Sequence, residues 1–331
     1  MIAALRLLVM AGHGSKRVIL LALAANAGIA ASKFFAFALT RSSSLLAEAI
    51  HSVADTGNQL LLLFGLKKAA KPPDERHPFG YKMESYFWSF IVAVMLFTLG
   101  GLFALYEGMH KLAAVRDARA AGEPFSMPHP EIAYGVLLVS MALEGYSWFA
   151  ATGEINRVRG KEKMSPFIQG SKSTEIIVIW MEDTGALIGL LLSLMGVTLT
   201  LLTKNPVYDV YATFAIGTLL IGIAFIVARK TKSLLIGESA TNETKAAIRR
   251  IVGDTDGVSR LITLRTMQLG EDEILAAIKI EWQSGLTAET IADITNQIER
   301  DIRAGLPQAR YLFIETDVYR SAEEASLATP D

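Results

Sequence analysis

The chain has 331 residues, and its 32 Lys and Arg against 33 Asp and Glu leave a formal net charge of −1, which offers no argument for a nucleic-acid partner. Hydrophobic residues make up 51% and the mean hydropathy is +0.35, with charge gathered between apolar runs and after Arg229, the texture of a membrane protein and not of a large soluble one. There is no Cys, so disulfides and thiolate metal sites are excluded and any metal must be held by nitrogen and oxygen.

Windows of about twenty residues, the length that crosses a ~30 Å hydrocarbon core, predict spans near Val18–Leu39, Ser44–Leu66, Phe87–Leu112, Ile132–Ala151, Glu175–Leu202 and Val210–Ala228. The first resembles a signal peptide in its Lys16-Arg17 start and Ala-rich Leu21–Ala31. Its apolar run continues through Phe34, Phe35 and Phe37 to Leu39, however, so it reads as a transmembrane helix. Lys and Arg collect before the first span, between the second and third (Lys67, Lys68, Lys71, Arg76, Lys82), between the fourth and fifth (Arg157, Arg159, Lys161, Lys163, Lys172), and after the sixth (Arg229, Lys230, Lys232). This bias puts both termini in the cytoplasm. The short N-terminus, lacking a Ser/Arg-rich transit segment, predicts a bacterial inner membrane.

From Gly237 no run is long enough to span. Thr241–Val252 has helical spacing, Val258–Gln268 and Glu273–Gln283 alternate like strands about a turn at Gly270, Thr287–Arg303 is amphipathic and helical, and Tyr311–Tyr319 alternates again. The order αββαβ predicts a small α+β, ferredoxin-like domain, too short to be comfortable alone and so expected to pair with a copy of itself. The expected organisation is a cytoplasmic segment 1–17, a transmembrane domain 18–229, a cytoplasmic dimerisation domain 237–320 and a disordered tail 321–331.

The chemistry lies inside the apolar runs. His51 and Asp55 are four apart in E-A-I-H-S-V-A-D-T-G-N-Q, on one face of the second predicted helix, and Glu182-Asp183 interrupt the fifth. A carboxylate at the centre of a membrane helix costs about 2.5–3.5 kcal/mol on insertion scales, so such groups face a cavity, a partner or an ion. Glu144 lies deep in the fourth span and raises the same question. Glu48 is on the face of His51 and Asp55, yet close enough to the helix start to be a solvated vestibule charge.

Six predicted helices with an αββαβ tail, H-S-V-A-D on the second and E-D on the fifth, followed by D-E-R-H-P-F-G-Y-K-M-E-S at 74–85, resemble the cation diffusion facilitator family. Asn58-Gln59 and the E-D pair resemble the branch containing the zinc transporter 9-like proteins. The resemblance implies a homodimeric secondary transporter, not an enzyme, that exports a divalent transition metal from the cytoplasm in exchange for protons, with one metal site per protomer near the bilayer midplane. Most of the family reads H-x-x-x-D on the fifth helix; Asp183 matches the Asp, while Ile179 stands where the His would be. His51, Asp55 and Asp183 thus supply three ligands, and a tetrahedral zinc site takes four. The candidates for the fourth are Glu182, then Glu144, with Asn26 or water behind them. One imidazole among several carboxylates is a hard ligand set that suits Zn, Fe, Mn or Co; Zn2+ comes first, and Cd2+ joins the set, on family grounds. Metal binds neutral imidazole and ionised carboxylate, so protons compete for the same groups.

Two further positions follow from the resemblance. Some relatives hold a second metal in the loop after the second helix; Asp74 and His77 match, but Tyr81 stands at the third place, and a phenol with a pKa near 10 replaces imidazole poorly. Glu315 and Asp317 match ligand positions of the tail in relatives with His-rich tails, but no His follows His129, so the tail is expected to dimerise without metal. Among rival classes, an intramembrane aspartyl protease would carry Tyr-Asp and Gly-x-Gly-Asp around its acids, and a metalloprotease H-E-x-x-H; neither occurs. A passive metal channel or a metal-sensing membrane scaffold could use the same ligands without exchanging protons.

Overall fold

The computed structural model describes residues 15–122, 130–160, 163–172 and 174–320. They divide between two compact units, Met1–Lys67 with Phe87–Lys232 and Lys68–Tyr86 with Ser233–Asp331. The first unit is helical. It comprises α1 (Ser15–Thr40), α2 (Ser43–Ala69), α3 (Glu84–Met95), which passes through a π-helical stretch at Leu96–Leu102 into α4 (Phe103–Ala120), α5 (Pro130–Arg159), the short α6 (Met164–Gly170), α7 (Thr174–Thr203) and α8 (Val207–Ile236).

Short turns set the neighbours. Between α1 and α2 the chain reverses at Arg41, which takes a left-handed φ of 58°. Ser42 Oγ then accepts from the Leu45 N–H at 3.4 Å, capping α2, while it donates to Asp209 Oδ1 of α8 at 2.8 Å. Lys204 (φ 54°) reverses the chain between α7 and α8 in the same way. Helices α5 and α7 run antiparallel, joined down their length by Tyr134 with Thr198 (2.8 Å), Ser147 with Asp183 (2.8 Å), Trp148 with Thr184 (2.9 Å) and Trp180 with Thr152 (3.0 Å). Close crossing of the π-helical stretch and α8 is possible because both present glycine: Gly101 lies against Ile221 and the Gly217 carbonyl.

Polarity in this unit is reversed relative to a soluble bundle. Glu48, His51, Ser52, Asp55, Asn58, Glu144 and Glu182 are buried, while Phe35, Leu60, Phe87, Leu138, Phe149, Leu191, Leu202 and Phe225 are exposed. Apolar side chains outward and ionisable ones inward is the arrangement that lipid imposes. Among the described residues, helical stretches long and apolar enough to cross a bilayer are Glu84–Ala120, Pro130–Gly153, Ile177–Thr203 and Val207–Ile236, which match four of the six predicted spans. In α2 the polar stripe of His51, Asp55, Asn58 and Gln59 dilutes the hydropathy on which such a reading depends.

The second unit contains α9 (Asn242–Gly253), β1 (Val258–Gly270), β2 (Glu273–Trp282), α10 (Ala288–Gly305) and β3 (Ala309–Thr316), the αββαβ order expected. The sheet order is β1-β2-β3, with β1 antiparallel to β2 and β2 parallel to β3. Thr241 and Thr287 cap the two helices by accepting from the N–H groups of Thr244 and Thr290. Ile248, Val252, Ile298 and Ile302 pack on Ile274, Ile278, Ile280 and Leu312. Each such side chain contributes roughly 1.5–3 kcal/mol by leaving water. The loop 68–86 belongs to this unit: Phe79 meets Tyr311 edge-on at 5.2 Å, and Lys82 reaches Asp272 at 3.0 Å. The predicted segments 1–17 and 321–331 lie, but for residues 15–17, outside the described residues.

Candidate metal centre

Helix α2 carries Glu48, His51, Ser52, Asp55 and Asn58 at helical spacing, so they form one stripe, and all five are buried. His51 Nε2 lies 3.5 Å from Asp55 Oδ2. That is too long for a strong hydrogen bond, and both imidazole nitrogens are without a hydrogen-bond partner. Buried polar atoms in this state are Glu48 Oε1, His51 Nδ1 and Nε2, Asp55 Oδ1, Asn58 Oδ1, Gln59 Oε1 and, on α5, Ser140 Oγ. Native structures satisfy nearly all buried polar atoms, and an ion or water commonly accounts for the exceptions. Among the described residues, all of these but Ser140 Oγ lie on α2.

Helix α7 brings two acids that diverge. Successive residues sit about 100° apart on a helix, and Glu182 turns to α2, where Asn58 Nδ2 donates to its Oε1 at 2.7 Å. Asp183 turns to α5 and accepts from Ser147 Oγ at 2.8 Å. Ile179, one turn before Asp183, is 36% exposed. Glu144, on α5, is buried. Asn26 lies half-buried on α1. In this conformation no three His, Asp or Glu side chains are gathered closely enough to hold a metal among the described residues.

Several contributors were not marked from the sequence. Asn58 and Ser147 hold the two acids of α7. Lys33 of α1, fully buried, donates to Glu48 Oε2 at 3.1 Å and to Ser52 Oγ at 2.8 Å. Glu48 is therefore no vestibule charge: neither side chain of the pair is exposed (0% each).

In the loop, Tyr81 donates to Asp74 Oδ2 at 2.6 Å and the His77 N–H to Asp74 Oδ1 at 2.7 Å. The Tyr81 hydrogen bond is the main reason the Asp74 carboxyl is held below its ordinary pKa, and the same bond raises the phenol. Both carboxylate oxygens are thus engaged within the loop. In the tail, Lys279 of β2 lies between Glu315 (3.2 Å) and Asp317 (3.0 Å), so an ammonium occupies the space between the two carboxylates. Its hydrogen bond is the first cause of a lowered Asp317 pKa, and the bond to Asp317 leads in raising that of Lys279.

A helical unit with ionisable groups turned inward and apolar groups outward, accompanied by an αββαβ unit, has the arrangement expected of a membrane-embedded protein with a water-exposed domain. Residues 19–236 match the cation efflux transmembrane domain, and the chain belongs to the cation efflux family, the cation diffusion facilitators. It is 29% identical over 272 residues to the human proton-coupled zinc antiporter SLC30A9, mitochondrial, covering 81% of this chain and 46% of that protein. Metal tolerance protein C4 of Arabidopsis thaliana is 26% identical over 287 residues, covering 86% of this chain and 61% of that protein. These place the chain with the zinc transporter 9-like branch, and it spans about half the length of those relatives. The manganese efflux system protein MneP of Bacillus subtilis is 23% identical over 313 residues, with 92% and 96% covered. Among solved structures, a MamM CTD variant in its nickel form covers 24% of this chain and 100% of its own, at 18% identity and a TM-score of 0.23.

Proposed function

We propose that the chain is a six-span divalent metal/proton antiporter that exports Zn2+ first, with Fe2+, Mn2+, Co2+ and Cd2+ as alternatives, from the cytoplasm. The observation that carries this reading is the stripe of buried polar atoms without partners on α2, facing the acid that α7 contributes. His51, Asp55, Asp183 and Glu182 are the ligands of the proposed site, with the buried Glu144 of α5 and Asn26 of α1 behind them. Glu182 is favoured over Glu144 as the added ligand because it already meets α2 through Asn58. The exposure of Ile179 supports the same choice, since a ligand at that place would face away from the buried stripe.

Metal binds the neutral imidazole and the ionised carboxylates, so a bound cation and protons exclude each other at the same atoms. Exchange then needs no covalent chemistry, only a rocking of helices that opens the site to one side at a time. The distribution of Lys and Arg supports a cytoplasmic side for both termini. The αββαβ unit is the proposed dimer contact, and it needs no metal, because the Lys279 ammonium already lies between Glu315 and Asp317. Zinc and proton coupling are also what the name of the human relative describes.

The test is metal uptake into proteoliposomes under an imposed pH gradient, comparing Zn2+, Fe2+, Mn2+, Co2+ and Cd2+. Uptake driven by the gradient is expected. Uptake indifferent to it would replace the antiporter with a channel, and no uptake of any metal would favour a sensing scaffold.

A further inference from the structure

Lys33 is the one buried lysine among the described residues, and its surroundings are specific. The turn at Arg41 folds α1 back on α2, bringing Nζ to Glu48 Oε2 and Ser52 Oγ. On the other side a methyl group built on Gly189 of α7 would meet the Glu48 carboxylate, so glycine there lets the acid lie against the helix backbone. Glu48 Oε1 has no hydrogen-bond partner, so the acid is engaged on one oxygen only.

The helix pairings order these groups along the bundle. Asn58 meets Glu182 at one level and Glu48 lies beside Gly189 at the other, with Asp55 between. Seven residues separate Glu48 from Asp55, about 10 Å of helix. The acids thus form a column, and the ammonium stands at its Arg41 end. A buried ion pair gives little or no stability over well-packed apolar residues, so stability alone does not explain a lysine here. Repulsion between like charges is strong where water is excluded, and a divalent cation at Asp55 that moves toward Glu48 must meet Nζ.

We propose that Lys33 is a positioning residue of the transport path: held by Glu48 and Ser52, it closes the Arg41 end of the acidic column, and a metal passes only when α1 and α2 separate that pair. The inference rests on the antiporter reading. A pair that opens only with helix movement keeps metal flow tied to proton exchange, whereas a column open at that end would leak.

The experiment uses Zn2+ uptake into proteoliposomes with and without a pH gradient, for wild type, Lys33→Arg and the double variant Lys33→Met/Glu48→Gln. Removing both charges leaves no orphaned ion, so the double variant is expected to fold; melting in detergent checks this. Its uptake without a gradient should rise by about tenfold or more over wild type, while Lys33→Arg keeps the gradient dependence. A folded double variant that keeps the wild-type dependence, or that takes up no Zn2+, overturns the assignment and leaves the pair a structural link. Should the double variant fail to fold, Glu48→Asp, which shortens the acid away from Nζ, is read by the same two outcomes. Wild type alone tests the antiporter reading: gradient-driven uptake there with an unleaky variant refutes only the role of Lys33.

Discussion

Replacing Asn58 with Ala removes the donor that holds Glu182 toward α2. The bond is 2.7 Å long, Asn58 is 0% exposed and Glu182 5%, so no solvent is at hand to take its place. A hydrogen bond to a charged group contributes about 1.5–3 kcal/mol, and loss of a residue that orients a metal ligand typically weakens binding by about 10–100-fold. These two scales agree, since 1.4 kcal/mol is about tenfold. Asn58→Ala should therefore weaken Zn2+ binding by about one to two orders of magnitude, raising the uptake KM with a smaller change in maximal rate. Titration calorimetry on the detergent-purified chain, beside the uptake KM, measures it. Asn58→Asp, which sets a second carboxylate against Glu182, should alter proton competition as well. Unchanged affinity in a folded Asn58→Ala protein would refute the reasoning and remove Glu182 from the site.

Asp55→Ala and Asp183→Ala should each abolish uptake without unfolding the protein, and Glu182→Gln should cost more than Glu144→Gln; the reverse order would move the added ligand to α5. Tyr81→His frees Asp74 Oδ2 and adds an imidazole, so the loop should gain a bound Zn2+ per chain by equilibrium dialysis, and no gain would show that the loop geometry forbids it. The pH response of the tail follows from two signs. Asp317, its pKa lowered, contributes above the unfolded value of about 3.9 and loses its contribution as pH falls through the folded value, whereas Lys279, its pKa raised, contributes below about 10.4 and loses it as pH rises through the folded value. The melting difference between wild type and Lys279→Ala should thus be flat from about pH 5 to 9 and shrink at both ends, and a difference that grows on acidification would contradict the pairing. Gly101→Ala should lower the melting temperature, because its Cβ would run into Ile221 and lie 3.3 Å from the Gly217 carbonyl, an overpacking that costs about 1–3 kcal/mol. Gly28→Ala, with nothing within 4 Å, is the control that should not fall.

Much of this protein is legible without coordinates because periodicity and cost are local properties. The αββαβ order follows from alternation at Val258–Gln268 and Glu273–Gln283 and from the apolar spacing of Thr287–Arg303. The structure moves only the ends, extending β1 to Gly270 and stopping β3 at Thr316. His51, Asp55, Glu144, Glu182 and Asp183 stand out because a charge in an apolar helix is expensive wherever the helix ends up. The same rule marks Lys33, whose position between Ser32 and Phe34 is signal enough, though nothing in the sequence says what it pairs with.

Which way a charge turns is decided elsewhere. Glu182 and Asp183 are neighbours about 100° apart on one helix. That the first meets Asn58 of α2 and the second Ser147 of α5 depends on how α7 is rotated between two helices far from it in the chain. The sequence leaves Glu48 open between the face of His51 and Asp55 and a solvated place near a helix start; the turn at Arg41 folds Lys33 over it, and Gly189 leaves room for it. Tyr81 and Lys279 occupy their neighbouring carboxylates for the same kind of reason. Composition and spacing determine which residues must be used by something, because burial cost belongs to each side chain alone; the partner of each is a property of packing, and only the tertiary structure decides it.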